Sequence, residues 1–238
     1  MLYLQNSMVQ YLAMAKPSDS QAPRAAPGRP KDLAKRVAIL DAAKHLFLEH
    51  GFAGVSMDQI AARAGVSKLT VYSHFGDKDA LFLAAVESYC DEQVPTALFT
   101  PSPGQPLRAR LLGVARAVYT LMASPEAVSG FRMMCSQACA TGPLPDLFWD
   151  AGAGHLQAGF AGLLARRAAA GELAIADPAR AASQFFALLR GDQHPRMVIG
   201  CSRCDDFDAQ AHIDATVDLF LRAYAPPPPP APGRQRAR

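Results

Sequence analysis

Between residues 33 and 86 the chain is cut into short pieces by capping signals, and that punctuation restricts the possible folds most severely. Ile39, Leu40, Ala43, Leu46 and Phe47 recur at about 3.6-residue spacing and form one apolar helical face. Gly51 supplies the stop. Ser56-Met57-Asp58-Gln59 reads as a capping box, in which the Ser hydroxyl and the Gln amide satisfy the first free amides. The short helix it opens ends at Gly65, where a tight turn needs the positive φ that glycine adopts without strain. Ser67 caps a second short helix carrying Val71, Tyr72 and Phe75. After Gly76, Asp77 caps a longer one through Leu81, Leu83, Ala84 and Val86 that ends before Pro95. Small Ala61 lets the two short helices cross closely, and Ile60, Val66 and Val71 fill the space between them.

The rest of the chain also reads as helix. Residues 107–123 are amphipathic and stop at Ser124-Pro125, and Pro125 suits the first turn of a segment over 126–140. An apolar stretch over 144–170 carries Phe148, Trp149, Leu156, Phe160 and Leu164. Gly152, Gly154, Gly159 and Gly162 interrupt it, which predicts close helix packing or a kink. Asp177-Pro178 opens a helix with Phe185, Phe186, Leu188 and Leu189. The last helix, over 208–223, shows Ile213, Val217, Leu219 and Phe220. The expected fold is all-α, with about nine helices: an N-terminal three-helix helix-turn-helix domain on a C-terminal helical domain. Composition agrees, since Ala, Leu and Arg dominate, 50% of residues are hydrophobic and β-branched runs are missing.

The flanks differ in kind. Residues 1–30 are expected to form a disordered arm, because 17–30 are rich in Ser, Pro, Ala and Gly without an apolar period. Residues 225–238, with five consecutive prolines and then Arg234, Arg236 and Arg238, are expected to form an extended disordered tail. Between them lie two expected helical domains, one over 31–78 and a larger one over 79–224. The net charge of +3 is unevenly spread: residues 24–78 hold nine Lys/Arg against five Asp/Glu, whereas 79–233 hold eleven against fifteen. A basic unit on an acidic body suggests a polyanionic partner for the first unit alone. Residues 1–16 lack both a basic n-region and a clean apolar stretch, and no run approaches the roughly eighteen apolar residues of a membrane span. The expectation is therefore a cytoplasmic protein, nucleoid-associated when bound to DNA, with no membrane partner and with its five cysteines as thiols.

The second short helix would project Lys68, Leu69, Thr70, Tyr72, Ser73 and His74, groups able to reach base edges and phosphates in a major groove. The helix N-terminal amides near Ser56 and Ser67 suit phosphate. Ile39-Leu40-Asp41-Ala42-Ala43, Leu46-Phe47, Gly51-Phe52, the run from Ser56 to Ala61 and Ala64-Gly65-Val66-Ser67 together resemble the TetR family of regulators. Val71-Tyr72-Ser73-His74-Phe75-Gly76-Asp77-Lys78, followed by Leu81-Phe82, continues the match. The resemblance implies that Tyr72 and His74 sit by the DNA backbone, that Lys78 contacts a phosphate, and that Lys68, Leu69 and Thr70 face the bases. Gly28-Arg29-Pro30-Lys31 is similar to arms that reach the adjacent minor groove, which adds Arg29 and Lys31. The family also implies a homodimer on a double-stranded operator, made through the two C-terminal helices, and a small-molecule effector held in the body, so that 31–78 would be the DNA-binding domain and 79–224 the effector-binding and dimerisation domain. The run from Phe185 to Asp192, with Arg196 and Gly200, is similar to a subgroup that often controls efflux pumps.

The reading is thus a ligand-responsive regulator, a repressor that a lipophilic small molecule releases from a palindromic operator. Phe131, Met133, Met134, Phe148, Trp149 and Phe160 read as ordinary core or as effector lining, with Arg132 and His155 as candidates to orient a ligand's polar group. Phe185, Phe186, Leu189, Ile213, Val217 and Phe220 are assigned to the dimer interface, with plain core as the alternative. Cys201-Ser202-Arg203-Cys204 has the spacing of half a zinc site. With Cys135, Cys139 or His194 it offers an alternative, a redox- or metal-responsive regulator sensing through Cys201 and Cys204. Glycine-rich phosphate loops, an H-E-x-x-H pair and a nucleophile elbow are absent, so neither an enzyme nor a cofactor is expected.

Overall fold

The computed structural model describes residues 32–100, 104–135, 144–201 and 207–227. Its first four helices begin at the capping residues. The Asp32 carboxylate accepts the Ala34 N–H at 3.0 Å and opens α1 (Leu33–His50), which Gly51 ends at φ +70°. Ser56 and Gln59 form the reciprocal box that opens α2 (Met57–Ala64): the Ser56 N–H donates to Gln59 Oε1 at 2.7 Å and the Gln59 N–H to Ser56 Oγ at 3.3 Å. Gly65 is left-handed at φ +66°, which sets α3 (Lys68–Phe75) across α2. Asp77 then caps α4 (Lys78–Gln93). Ile39, Ala43, Phe47, Ile60, Val71 and Leu81 fill the core of this head.

A 3-10 turn at Thr96–Leu98 leads to α5 (Leu107–Ala123) and α6 (Pro125–Cys135). The latter was expected to reach residue 140, but 136–143 lie outside the described residues. Helix α7 (Leu144–Trp149) continues through a π turn at Asp150–Gly154 into α8 (His155–Ala169). The π turn is the expected kink, and it holds two of the glycines. Gly159 supplies the close packing: a Cβ there would lie 2.7 Å from Phe99 Cδ2. Then come α9 (Pro178–Arg190), α10 (Gln193–Ile199) and α11 (Ala209–Ala223). With α7 and α8 counted as one, ten helices and no strand occur among the described residues. The helix beyond the expected nine is α10. It buries none of its residues and carries Pro195 in its first turn, so it has no apolar period to read.

In the body, α5, α8, α9 and α11 pack around Phe160, Phe185 and Phe220, with ring centroids 4.8 Å (Phe160–Phe185) and 5.0 Å (Phe185–Phe220) apart. This corrects the dimer assignment. Phe185, Phe186, Leu189, Ile213, Val217 and Phe220 are all buried within the single chain, where they hold α9 and α11 onto α5 and α8. Periodicity marked the stripe that is buried but not what buries it. Helix α4 belongs to both cores, giving Leu81, Phe82 and Ala85 to the head and Cys90 to the body. Among the described residues no helix is long and apolar enough to cross a membrane.

Candidate nucleic-acid interface and internal cavity

Helix α3 turns Lys68, Leu69, Tyr72 and Ser73 outward, and Leu69 is 79% exposed with no apolar neighbour to cover it. An uncovered leucine on an otherwise polar helix surface complements a thymine methyl in a major groove. The Lys68 ammonium holds the Asp58 carboxylate at 2.9 Å, and that hydrogen bond and charge raise its pKa. Both side chains are exposed, so water competes for the pair and a phosphate can replace Asp58.

Other expected contacts are already engaged. The Thr70 hydroxyl, half-buried, pairs with Ser67 Oγ at 2.8 Å, and the Ser73 hydroxyl donates to the Thr70 carbonyl at 2.8 Å. Ser56 and Ser67 accept the Gln59 and Thr70 amides, so both hydroxyls serve as caps. His74 is half-buried beside Phe75, and its Nδ1 has no partner among the described residues. Lys78, expected on a phosphate, instead turns its ammonium onto the carbonyls of Phe52 (2.9 Å) and Val55 (3.1 Å), over the Phe52 ring at 4.2 Å. It braces the link between α1 and α2, because those carbonyls have no helical partner. Arg29 and Lys31 lie outside the described residues.

Head and body together line a partly open cavity of about 240 Å³. Helix α1 contributes Phe47 and Leu48, with Gly51 just past its end; α4 contributes Val86, Tyr89 and Cys90, and α5 contributes Val118, Leu121 and Met122. Phe131, Phe148 and Trp149 lie on the wall, as does Met133. Two expected residues do not. Phe160 is fully buried in the body core, stacked on Phe186 at 5.5 Å, and Met134 packs against the head core. Nor do Arg132 and His155 face a ligand. The Arg132 guanidinium caps the Met197 and Val198 carbonyls at the end of α10, while His155 Nε2 lies 3.3 Å from Asp91.

The wall is apolar with few charges. Burial, then the Asp91 and Glu87 carboxylates, push the Cys90 thiol up to about 11, so it stays protonated. Burial also raises the Tyr89 hydroxyl, which donates to Ser124 Oγ at 3.1 Å and to Glu126 at 3.3 Å. Burial pulls the Lys44 ammonium down, but Glu92 (2.7 Å) and Asp41 (3.0 Å) outweigh it and the net shift is upward. Aromatic contacts run from the wall into the head: Phe148 stacks on Phe82 at 6.1 Å, and Phe82 meets Phe47 and Phe52 at 5.1 Å each.

Cys135 and Cys201 are exposed, whereas Cys139 and Cys204 lie outside the described residues. No group of three metal-ligating side chains occurs among the described residues. Sequence reasoning missed the contribution of α1 to the wall, and also Val86, Tyr89, Met122 and Arg190, since nothing local marks residues that meet only through packing. It also missed an outward row on the last helices, formed by Ala187 and Leu188 on α9 and by Ala211, Ala215 and Leu219 on α11. The spacing of the α11 residues was the available signal.

Residues 39–85 match the family model described as bacterial regulatory proteins, tetR family, and residues 109–226 match that of the AefR-like transcriptional repressor, C-terminal domain. Among solved structures, the flavonoid-responsive regulator FrrA is 31% identical; the alignment covers 82% of this chain and 99% of that one, with a TM-score of 0.64. A TetR-family transcriptional regulator from Mesorhizobium loti is 27% identical, with 83% and 99% covered and a TM-score of 0.65. The HTH-type transcriptional regulator YdeS of Bacillus subtilis is 43% identical over 68 residues, 29% of this chain and 34% of that relative. Curated relatives such as this one are matched over less than half of their own length.

Proposed function

The chain belongs to the TetR family of transcriptional regulators, and from that premise we propose that it is a homodimeric repressor released from its operator by a lipophilic small molecule. In this reading, residues 31–78 read DNA, residues 79–224 bind the effector and dimerise, and the arm at Arg29 and Lys31 reaches the minor groove. The protein acts in the cytoplasm, at the nucleoid when bound to DNA. Members of the family are regulators, and no catalytic role is proposed.

The observation that carries this reading is the cavity itself, because one apolar space is walled by the DNA-reading head and by the body. A ligand that prefers one arrangement of those walls shifts the head's affinity for DNA by the same free energy. The outward row of Ala187, Leu188, Ala211, Ala215 and Leu219 supplies the proposed two-fold interface, in place of the buried phenylalanines. Lys68, Leu69, Tyr72 and Ser73 form the proposed groove-facing set, with Thr70 and His74 beside them. Lys78 is assigned to the brace beneath them. FrrA is a flavonoid-responsive regulator, and that likeness supports an aromatic effector for a cavity lined by Phe131, Phe148 and Trp149.

The test is to select duplexes from a random pool with the full chain and then titrate the selected site by fluorescence anisotropy. The expected result is a palindrome of two half-sites, released by hydrophobic compounds. A selected sequence without two-fold symmetry, or release only by peroxide, zinc or a chelator, would overturn the reading. The latter outcome would point to sensing through Cys201 and Cys204.

A further inference from the structure

The cavity wall is not electrically balanced, and the unmatched charge is Arg190. Arg190, the last residue of α9, lies on the wall beside Phe186 and His194 and is half-buried. Among the described residues its guanidinium has no ion pair or hydrogen bond. Asp192, the acid nearest in sequence, is held by Arg196 at 3.1 Å. The other cation on the wall, Lys44, already has Glu92 and Asp41. Glu126, the single acid on the wall among the described residues, is exposed and accepts the Tyr89 hydroxyl. The negative end of α9 offsets part of the Arg190 charge, but it supplies no acceptor at hydrogen-bond distance.

A guanidinium carries five donors in a planar fork, and keeping them partly out of water without an acceptor is unfavourable. Its neighbour does not relieve it: burial, then the Arg190 charge, lower the pKa of His194, whose ring stands edge-on to Phe131 at 5.1 Å. Val118, Met122 and Phe131 supply apolar surface on the same wall as this lone charge. We infer that the effector is an amphipathic organic anion, an apolar body whose single carboxylate- or sulfonate-type charge pairs with Arg190. This rests on the cavity being the effector site. A cationic ligand would meet an unneutralised arginine, whereas an anion gains a two-pronged, charge-assisted contact in a partly desolvated place.

Two dyes with one apolar body test this on the full chain: N-phenylnaphthylamine, which is neutral, and anilinonaphthalene sulfonate, which carries the charge. Arg190→Gln should weaken the sulfonate by about tenfold or more while leaving the neutral dye within about twofold. Arg190→Lys should fall between, because it keeps the charge and loses the fork. On the unaltered protein, dodecanoate should displace the neutral dye at lower concentration than dodecanol. Equal loss of both dyes in Arg190→Gln, or dodecanoate displacing no better than dodecanol, overturns the assignment of charge and leaves the cavity as a site for neutral ligands. If neither dye binds the unaltered protein, the cavity reading itself fails and this one fails with it.

Discussion

Lys78 offers the sharpest separation between a DNA contact and a structural brace. Lys78→Met keeps most of the aliphatic stem and removes the ammonium, together with its bonds to the Phe52 and Val55 carbonyls at 2.9 and 3.1 Å and its position 4.2 Å from the Phe52 ring. A hydrogen bond to a charged group contributes about 1.5–3 kcal/mol net, and a cation over a ring adds about 0.5–1 kcal/mol. Lys78 is half-buried, so the low ends apply and the loss sums to about 3.5 kcal/mol. In a chain of this size each kcal/mol moves the melting temperature by about 2–4 °C, so calorimetry should record a fall of roughly 7–14 °C. Titration of a generic duplex at several salt concentrations supplies the second reading. A brace changes affinity through the pose of α2 and α3 and leaves the log–log salt slope nearly intact. A melting temperature unchanged within about 1 °C, with a slope smaller by about one, would refute the brace and make Lys78 a phosphate ligand.

Other expected outcomes follow the same geometry. Asp58→Asn frees the Lys68 ammonium, so affinity for any duplex should rise at low salt and the salt slope should steepen; no change would mean that Lys68 does not approach phosphate. Leu219→Glu puts a carboxylate in place of the one large apolar side chain of the outward row on α11. Sedimentation equilibrium should then show monomer where the parent shows dimer, and a persisting dimer would place the interface elsewhere. His194 should make stability acid-sensitive. Its folded pKa lies below the ordinary 6.5, so the unfolded chain binds a proton the folded one resists; its contribution is complete above that pH and declines as pH falls below it. Melts should fall less steeply on acidification in His194→Asn, and equal acid loss in both proteins would exclude His194 as the cause.

What was legible in the sequence was local. The Ser56–Gln59 box, the Gly65 turn and the Asp77 cap each join residues at most four apart, so residue type and spacing suffice to predict them. The brace at Lys78 spans 26 and 23 residues to its two acceptors, and no spacing rule announces it. In the body, periodicity found the buried stripes of α9 and α11. It could not say whether α5 and α8 of the same chain or a second copy would cover them. The cavity was least legible, since its wall joins Phe47 of α1 to Phe131 of α6 and Arg190 of α9, which only the tertiary packing brings together.

That same packing gives the proposed effector a route to the head. Helix α4 is shared by both cores, and close-packed cores deform by switching arrangement rather than by yielding gradually. Phe82 faces the cavity on one side and meets Phe47 and Phe52 on the other, and Phe52 carries the Lys78 brace that seats α2. The Lys44–Glu92 ion pair ties α1 to α4 along the same wall, so the two helices are held to move together. An occupant that favours a different seating of Phe82 therefore acts on the link between α1 and α2 without touching α3. Coupling of about 1–3 kcal/mol per chain is typical of such systems. In a two-fold dimer that preference is exerted twice against one operator, because both heads must fit their half-sites at a single spacing. On the proposed function, a modest differential affinity in each cavity is therefore doubled against that single spacing.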